Sequence, residues 1–336
     1  MKIDNLFGFF ILVIFLMPIF LAYNLVFYLG MDFAVDRDNY LLLMSSPSFS
    51  MREEPLIILL SKALWFIYDP KVKLLLIQNF FNIIVFVSIY CSLNTSSYRG
   101  VLSTFLFLLY TLVFSVALNI QIRIGYAISI FLFLFFVLRY KINFKNIILY
   151  CLPIFMHMGI FFLISFLYLF KYLNLNNLTK VFVFNVLYFL LIFFLFVKLS
   201  SLLAFLGFDA YYLGYVDSNS ELSTTISVIP NSVLIYIFLT IVLLIIKRER
   251  EDYLFWVCFS AYGLIFAAFF LKISVLYKFL MPLSAFVFLY FVRYFFNRYK
   301  FSNFDFFYLF LLNIILSFVM LYFFSEQANI MWNLFI

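Results

Sequence analysis

Repetition is what most constrains this chain. Apolar runs of 14 to 25 residues follow one another along its length, at 6–29, 55–68, 74–93, 101–118, 124–138, 146–170, 181–199, 231–246, 253–271, 273–292 and 304–324. A soluble domain has one core to fill and about a quarter of its residues charged. Here 68% of 336 residues are hydrophobic and 11% charged, so the surface itself must face lipid. A hydrocarbon layer of about 30 Å needs roughly 20 apolar residues per helical span, and this length allows about ten crossings. The expected fold is all-α: a polytopic integral membrane protein of about 9–11 transmembrane helices, forming one domain over residues 1–336. The first run is too long for the apolar part of a signal peptide and lacks a small-residue cleavage site, so a retained anchor is expected. Cys91, Cys151 and Cys258 are scattered without metal or disulfide spacing.

The net charge of +7 reads as loop charge that orients the spans, not as a nucleic-acid footprint. The basic connections 139–145, 247–250 and 293–300 are expected on the cytoplasmic side, with the N-terminus. The polar segments 30–54 and 200–230 are then outer, periplasmic loops. Two runs break the parity this requires. Run 55–68 is short and carries Lys62, so it reads as re-entrant or lying at the outer interface. Run 146–170 has basic residues on both flanks and a Pro153 to Gly159 interruption, so it reads as two half-helices meeting at His157.

Polar groups beside such runs persist when they are buried in protein or line a cavity, and so mark candidate sites. On the outer side these are Asp36, Asp38, Tyr40, Glu53 and Glu54; Asn119, Gln121 and Arg123 at a helix start; Tyr211, Tyr212 and Tyr215; and Lys272, Tyr277 and Lys278. His157 is the one histidine. Each also has a plain structural reading. Arg123 can snorkel to headgroups, His157 can be an interior hydrogen-bond donor, the acids can be a solvated loop and the tyrosines an interfacial belt. Gln78, Asn79 and Asn82 read as helix-packing contacts. No metalloprotease, phosphate-loop or nucleophile-elbow motif is present, and no close set of metal ligands, so neither a metal nor a cofactor is expected. Guanidinium, ammonium, imidazole, carboxylates and tyrosines together suit a ligand bearing phosphate and sugar.

The order Asp38-Asn39-Tyr40, Glu54-Pro55, Asn119-x-x-x-Arg123-x-x-x-Ala127, a basic stretch, the run centred on His157 and the loop with Tyr211 and Tyr215 resembles the EpsG-like branch of the Wzy-type bacterial polysaccharide polymerases. The resemblance spans roughly residues 30 to 290. Where that family carries a late arginine shortly before a tyrosine, this chain has Lys272 and Lys278 around Tyr277. The resemblance implies a multi-pass protein of the bacterial inner membrane that joins oligosaccharide repeat units carried on undecaprenyl pyrophosphate at the outer face. Its partners would be that lipid-linked oligosaccharide, membrane lipid and other polysaccharide assembly proteins, with no nucleic acid. On that reading Arg123, Lys272 and Lys278 hold pyrophosphate, with Asn119, Gln121, Tyr40, Tyr211, Tyr215 and Tyr277 lining the site. Glu54 is the first candidate for the base that takes the acceptor's proton, His157 the second, and Asp38 a further one. A flippase for lipid-linked oligosaccharide is the rival from another class, although no internal repeat is visible.

Overall fold

The computed structural model describes residues 37–45, 55–93, 99–114, 122–139, 141–205, 231–246, 252–271, 276 and 279–335, and every regular element among them is helical. The chain is an all-α membrane protein. Among the described residues three stretches are long and apolar enough to cross a membrane: α3 (Pro70–Ser92); Tyr253–Leu271, built from α10 (Tyr253–Val257) and α11 (Tyr262–Leu271); and α12 (Leu280–Arg298). The other helices are α1 (Arg37–Ser45), α2 (Pro55–Ala63), α4 (Arg99–Val113), α5 (Ile122–Leu132), α6 (Ile147–Met156), α7 (Phe161–Tyr172), α8 (Leu178–Phe205), α9 (Asn231–Ile246) and α13 (Asn303–Phe335). Segment 30–54, read from sequence as an outer loop, therefore contains a helix that includes Asp38 and Tyr40.

Helix starts follow local chemistry. The Asp69 carboxylate accepts from the Lys71 N–H at 2.8 Å ahead of Pro70 at the first helical position of α3. Asp252 caps α10 through the Leu254 N–H at 2.9 Å, and Asn177 caps α8 through the Lys180 N–H at 2.9 Å. At α13 the bonds are reciprocal: Asp305 accepts from the Ser302 N–H at 2.7 Å, while the Asp305 N–H meets the Ser302 hydroxyl at 3.3 Å. α5 ends differently, in a wide π-turn over Phe133–Val137 followed by Arg139 at φ 53°.

The chain divides into two compact units. The first comprises residues 1–141, 145–158 and 292–336. Its described part is organised on α3, which packs against α1, α2, α4 and α5, while α13 lies along α4 and α6 along α5 and α2. Ile77, Phe81, Val85 and Ile89 of α3 are buried, as are Leu102 and Leu106 of α4 and Ile124, Ile128 and Phe131 of α5. At one end of this unit Asn297 donates to the Ser92 carbonyl at 3.3 Å and Arg99 donates to the Tyr90 carbonyl at 2.7 Å. Asn313 of α13 donates to the Val101 carbonyl at 3.2 Å.

The second unit comprises residues 142–144 and 159–291. Phe166 and Phe170 of α7 meet Phe184 of α8 edge-on. The Tyr168 hydroxyl donates to the Asn143 carbonyl at 2.8 Å, Lys171 donates to the Ile142 carbonyl, and Phe144 stacks on Tyr172 at 4.5 Å. The end of α7 thus returns to the residues just before α6. A single straight helix over 147–172 would hold those ends about 39 Å apart. The run read as two half-helices meeting at His157 is therefore two helices, of ten and twelve residues, with an interruption at His157 and a short 3-10 turn at Met158–Ile160. Each is about 15–18 Å long, half of a hydrocarbon layer.

The run 253–271, read as one span, is interrupted at Cys258–Ala261. Two neighbours satisfy the backbone there. Asn185 of α8 donates to the Phe259 carbonyl at 2.9 Å and accepts from the Gly263 N–H at 2.7 Å. The Tyr236 hydroxyl of α9 donates to the Cys258 carbonyl at 2.6 Å and accepts from the Ala261 N–H at 3.1 Å. Broken backbone at membrane depth survives where protein supplies such partners.

Candidate functional site

The polar groups the structure brings together lie at the start of α5 in the first unit. Ile122, Ile124, Tyr126, Ala127 and Ile128 are buried and hold this helix against its neighbours, while Arg123 is half-buried. Its guanidinium carbon lies 5.7 Å from the centre of the Tyr40 ring, within reach of a cation–π attraction. One turn further along, the Tyr126 hydroxyl donates to Gln78 Oε1 of α3 at 2.8 Å, and its ring stacks on Phe81 at 4.2 Å. These contacts fix the level of Arg123 against α3.

Tyr40 is held there by the way α1 ends. Helix C-termini leave carbonyls without intrahelical partners. The Ser61 hydroxyl of α2 donates to the Leu43 carbonyl at 3.2 Å, and the Lys73 ammonium of α3 donates to the Met44 carbonyl at 2.9 Å. Lys73 is only 7% exposed, and its positive charge faces the negative end of the α1 dipole. Sequence reasoning missed Lys73 and Ser61. Lys71 and Lys73 are two residues apart on a helix and project about 200° apart, so a helix packed on one side buries one of them.

Below Gln78 on the same face of α3 lies Asn82, 2% exposed, whose Oδ1 accepts no hydrogen bond; the Oδ1 of half-buried Asn79 is likewise without a donor. The sequence reading of Gln78 as a packing contact holds, since it ties α3 to α5. The amide oxygens of Asn79 and Asn82 remain as acceptors that packing does not use.

His157 occupies a separate place. It closes α6 with extended backbone (φ −163°, ψ 125°), its N–H donating to the Pro153 carbonyl at 3.0 Å, and its side chain is half-buried. Asp38 lies in α1 two residues before Tyr40. Glu54, Asn119, Gln121, Tyr211, Tyr215, Lys272, Tyr277 and Lys278 fall outside the described residues. Of the expected site residues, then, Arg123 and Tyr40 are brought together. Among the described residues no three His, Cys, Asp or Glu side chains lie close enough to share a metal ion.

What this arrangement offers is a guanidinium at the start of a helix, where the macrodipole also favours an anion, against an electron-rich ring. Such a group attracts an anion of fixed geometry, above all a phosphate that can meet it in two hydrogen bonds. Comparison with family models, with curated proteins and with solved structures gives no match to this chain.

Proposed function

We propose that the chain is a membrane glycosyltransferase that polymerises oligosaccharide repeat units carried on a polyprenyl pyrophosphate, at the outer face of a bacterial inner membrane. The observation that carries this reading is the Arg123–Tyr40 pair, a cation held at the start of a helix by a buried scaffold within an apolar bundle. Even a half-buried cation in such a bundle is costly, and it is retained for a ligand or a relay. The resemblance to the EpsG-like polymerases supplies the substrate class.

In this reading the sugar–oxygen bond to the donor's pyrophosphate breaks, with its electron pair staying on the phosphate oxygen. A bond forms from the same sugar carbon to a hydroxyl of the acceptor unit, and that hydroxyl's proton passes to a protein base. The leaving group is already activated, so the protein has to neutralise the developing charge, align the hydroxyl and accept one proton. Arg123 does the first. Tyr40, itself buried, braces the guanidinium. Glu54 remains the first candidate for the base and His157 the second.

The test is complementation of a strain lacking the protein, scored by the length distribution of its surface glycan. Arg123→Ala and Arg123→Lys should be produced at the normal level yet fail to restore polymer, consistent with a loss of about 10²–10³ in rate for one missing charge-stabilising donor. Single capped repeats should persist. Full restoration by Arg123→Ala removes the proposed role, and loss of single repeats as well as polymer in the deletion strain indicates a flippase instead.

A further inference from the structure

The link between α2 and α3 is unlike the other connections among the described residues. Trp65 is 74% exposed, Phe66 59% and Tyr68 92%, with Trp65 and Phe66 packed edge-on at 6.4 Å. Three large aromatics leave the body of the protein within four residues. The same turn is bounded by exposed Lys62 on one side, and by exposed Asp69 and half-buried Lys71 on the other.

Water is a poor environment for this group and the hydrocarbon centre is no better for its charges. Trp and Tyr concentrate at the boundary between the two, where the ring is apolar and the N–H or O–H stays wet. Three further observations place the turn at that boundary. First, α2 is nine residues long, about 13 Å, too short to cross. It is held on one side by buried Ile57, Ile58 and Ser61, while Leu59 stays 53% exposed. Second, α3 begins immediately after the turn and is one of the helices long enough to span. Its exposed residues Leu76, Phe80 and Ile83 recur at helical spacing, a lipid-facing stripe that continues from the aromatic turn. Third, Lys62 and Lys71 put positive charge where phosphates of lipid headgroups lie.

We propose that the Trp65–Tyr68 turn, with α2, is a binding surface for the headgroup region of one bilayer leaflet, and that it sets the depth of Arg123. The geometry gives that depth. Gln78 lies nine residues below Asp69, and Arg123 is three residues nearer the surface than Tyr126, which bonds Gln78. At the helical rise, the Arg123 backbone is roughly 9 Å below the boundary, so its side chain lies just beneath the headgroup region. An anion delivered from within the leaflet meets it there without crossing the hydrocarbon.

The experiment needs no assay of activity, so it stands apart from the function proposed above. The full-length protein, native and Trp65→Phe, is reconstituted in phosphatidylcholine–phosphatidylglycerol vesicles carrying bromine either near the headgroup or near the methyl end of the acyl chain. The chain has three tryptophans, Trp65, Trp256 and Trp332, and the difference between the two proteins isolates the first. Headgroup-proximal bromine should quench the Trp65 component most, with emission to the blue of that in water. Strongest quenching from methyl-end bromine means that the segment crosses the bilayer and overturns the proposal. So does quenching by aqueous acrylamide with no effect of bromine at either depth. Trp65→Phe changes an exposed ring for a ring, and equal size-exclusion profiles of the two proteins exclude misfolding as the cause of a difference.

Discussion

Lys73 shows how much one side chain decides near the candidate site. Lysine is almost never buried without a compensating partner, and here the compensation is a buried carbonyl at the C-terminal end of α1. Lys73→Met keeps length and volume but removes the charge-assisted bond, and should lower stability by about 1–3 kcal/mol, read from thermal unfolding of the detergent-solubilised protein. Lys73→Arg should recover much of that loss. If Lys73→Met unfolds at the wild-type temperature, the cap contributes nothing and Tyr40 is positioned by other contacts. Tyr126→Phe makes a second check on the same scaffold. It keeps the stacking on Phe81 and deletes the bond to Gln78, so it should cost about 1 kcal/mol and, on the function proposed above, change polymer length far less than Arg123→Ala.

At the scale of elements, the interrupted helix 253–271 is governed by competition for one N–H group. A serine three residues before a helical N–H is the ordinary local cap, and Ser260 stands in that relation to Gly263. The bond goes instead to Asn185, leaving the buried Ser260 hydroxyl without a partner. Ser260→Ala should therefore be nearly neutral. Asn185→Leu should cost about 1–3 kcal/mol, with Ser260 taking over the cap. The double substitution should cost more than the sum of the two, and strict additivity in unfolding experiments would rule out the exchange. Gly263 itself has no room for a side chain: a Cβ there would lie 2.4 Å from the Asn185 carbonyl oxygen, so Gly263→Ala must push α8 and α11 apart.

The α6–α7 pair gives a prediction about sidedness. Because residues 142–144 touch the end of α7, cysteines introduced at Lys145 and Asn176, both exposed, should react with a membrane-impermeant reagent from the same side of the membrane. Asn174 is a poorer labelling position, since it holds φ 51°, which asparagine tolerates better than most residues. Labelling from opposite sides would mean that 146–170 crosses and that the count of basic loops must be redone. The halving of this run was legible in the sequence from Pro153, the glycine and the matched basic flanks. The interruption at 258–261 was not, because nothing in Cys258-Phe-Ser-Ala261 departs from an ordinary apolar helix. It exists because Asn185 and Tyr236, 78 and 25 residues away from their partners, make a broken backbone affordable.

For the whole molecule, the rule that large apolar side chains belong inside is suspended over much of the surface. Phe182 and Leu187 of α8 are 66% and 61% exposed, Phe238 of α9 66%, and Phe318 of α13 68%. In a water-soluble protein Leu187→Arg would be neutral or better. If that face of α8 meets the hydrocarbon core, the same change should cost about 2.5–3.5 kcal/mol of insertion free energy, measurable as reduced membrane integration or a lower unfolding temperature in nanodiscs. A neutral result would place that face of α8 outside the hydrocarbon.

What the sequence determined by itself was everything set by local composition and spacing: the all-α membrane class, the short 55–68 element, the interruption at His157, and Arg123 at a helix start. These depend on residues within a turn or two of one another, where hydropathy and capping act directly. Only the tertiary structure decided which polar groups meet. The pairing of Arg123 with Tyr40, of Lys73 with Met44 and of Tyr126 with Gln78 joins positions 83, 29 and 48 residues apart. No local rule specifies such pairs, because each is fixed by how buried faces of separate helices pack, and a polar side chain takes whichever partner that packing leaves within its reach.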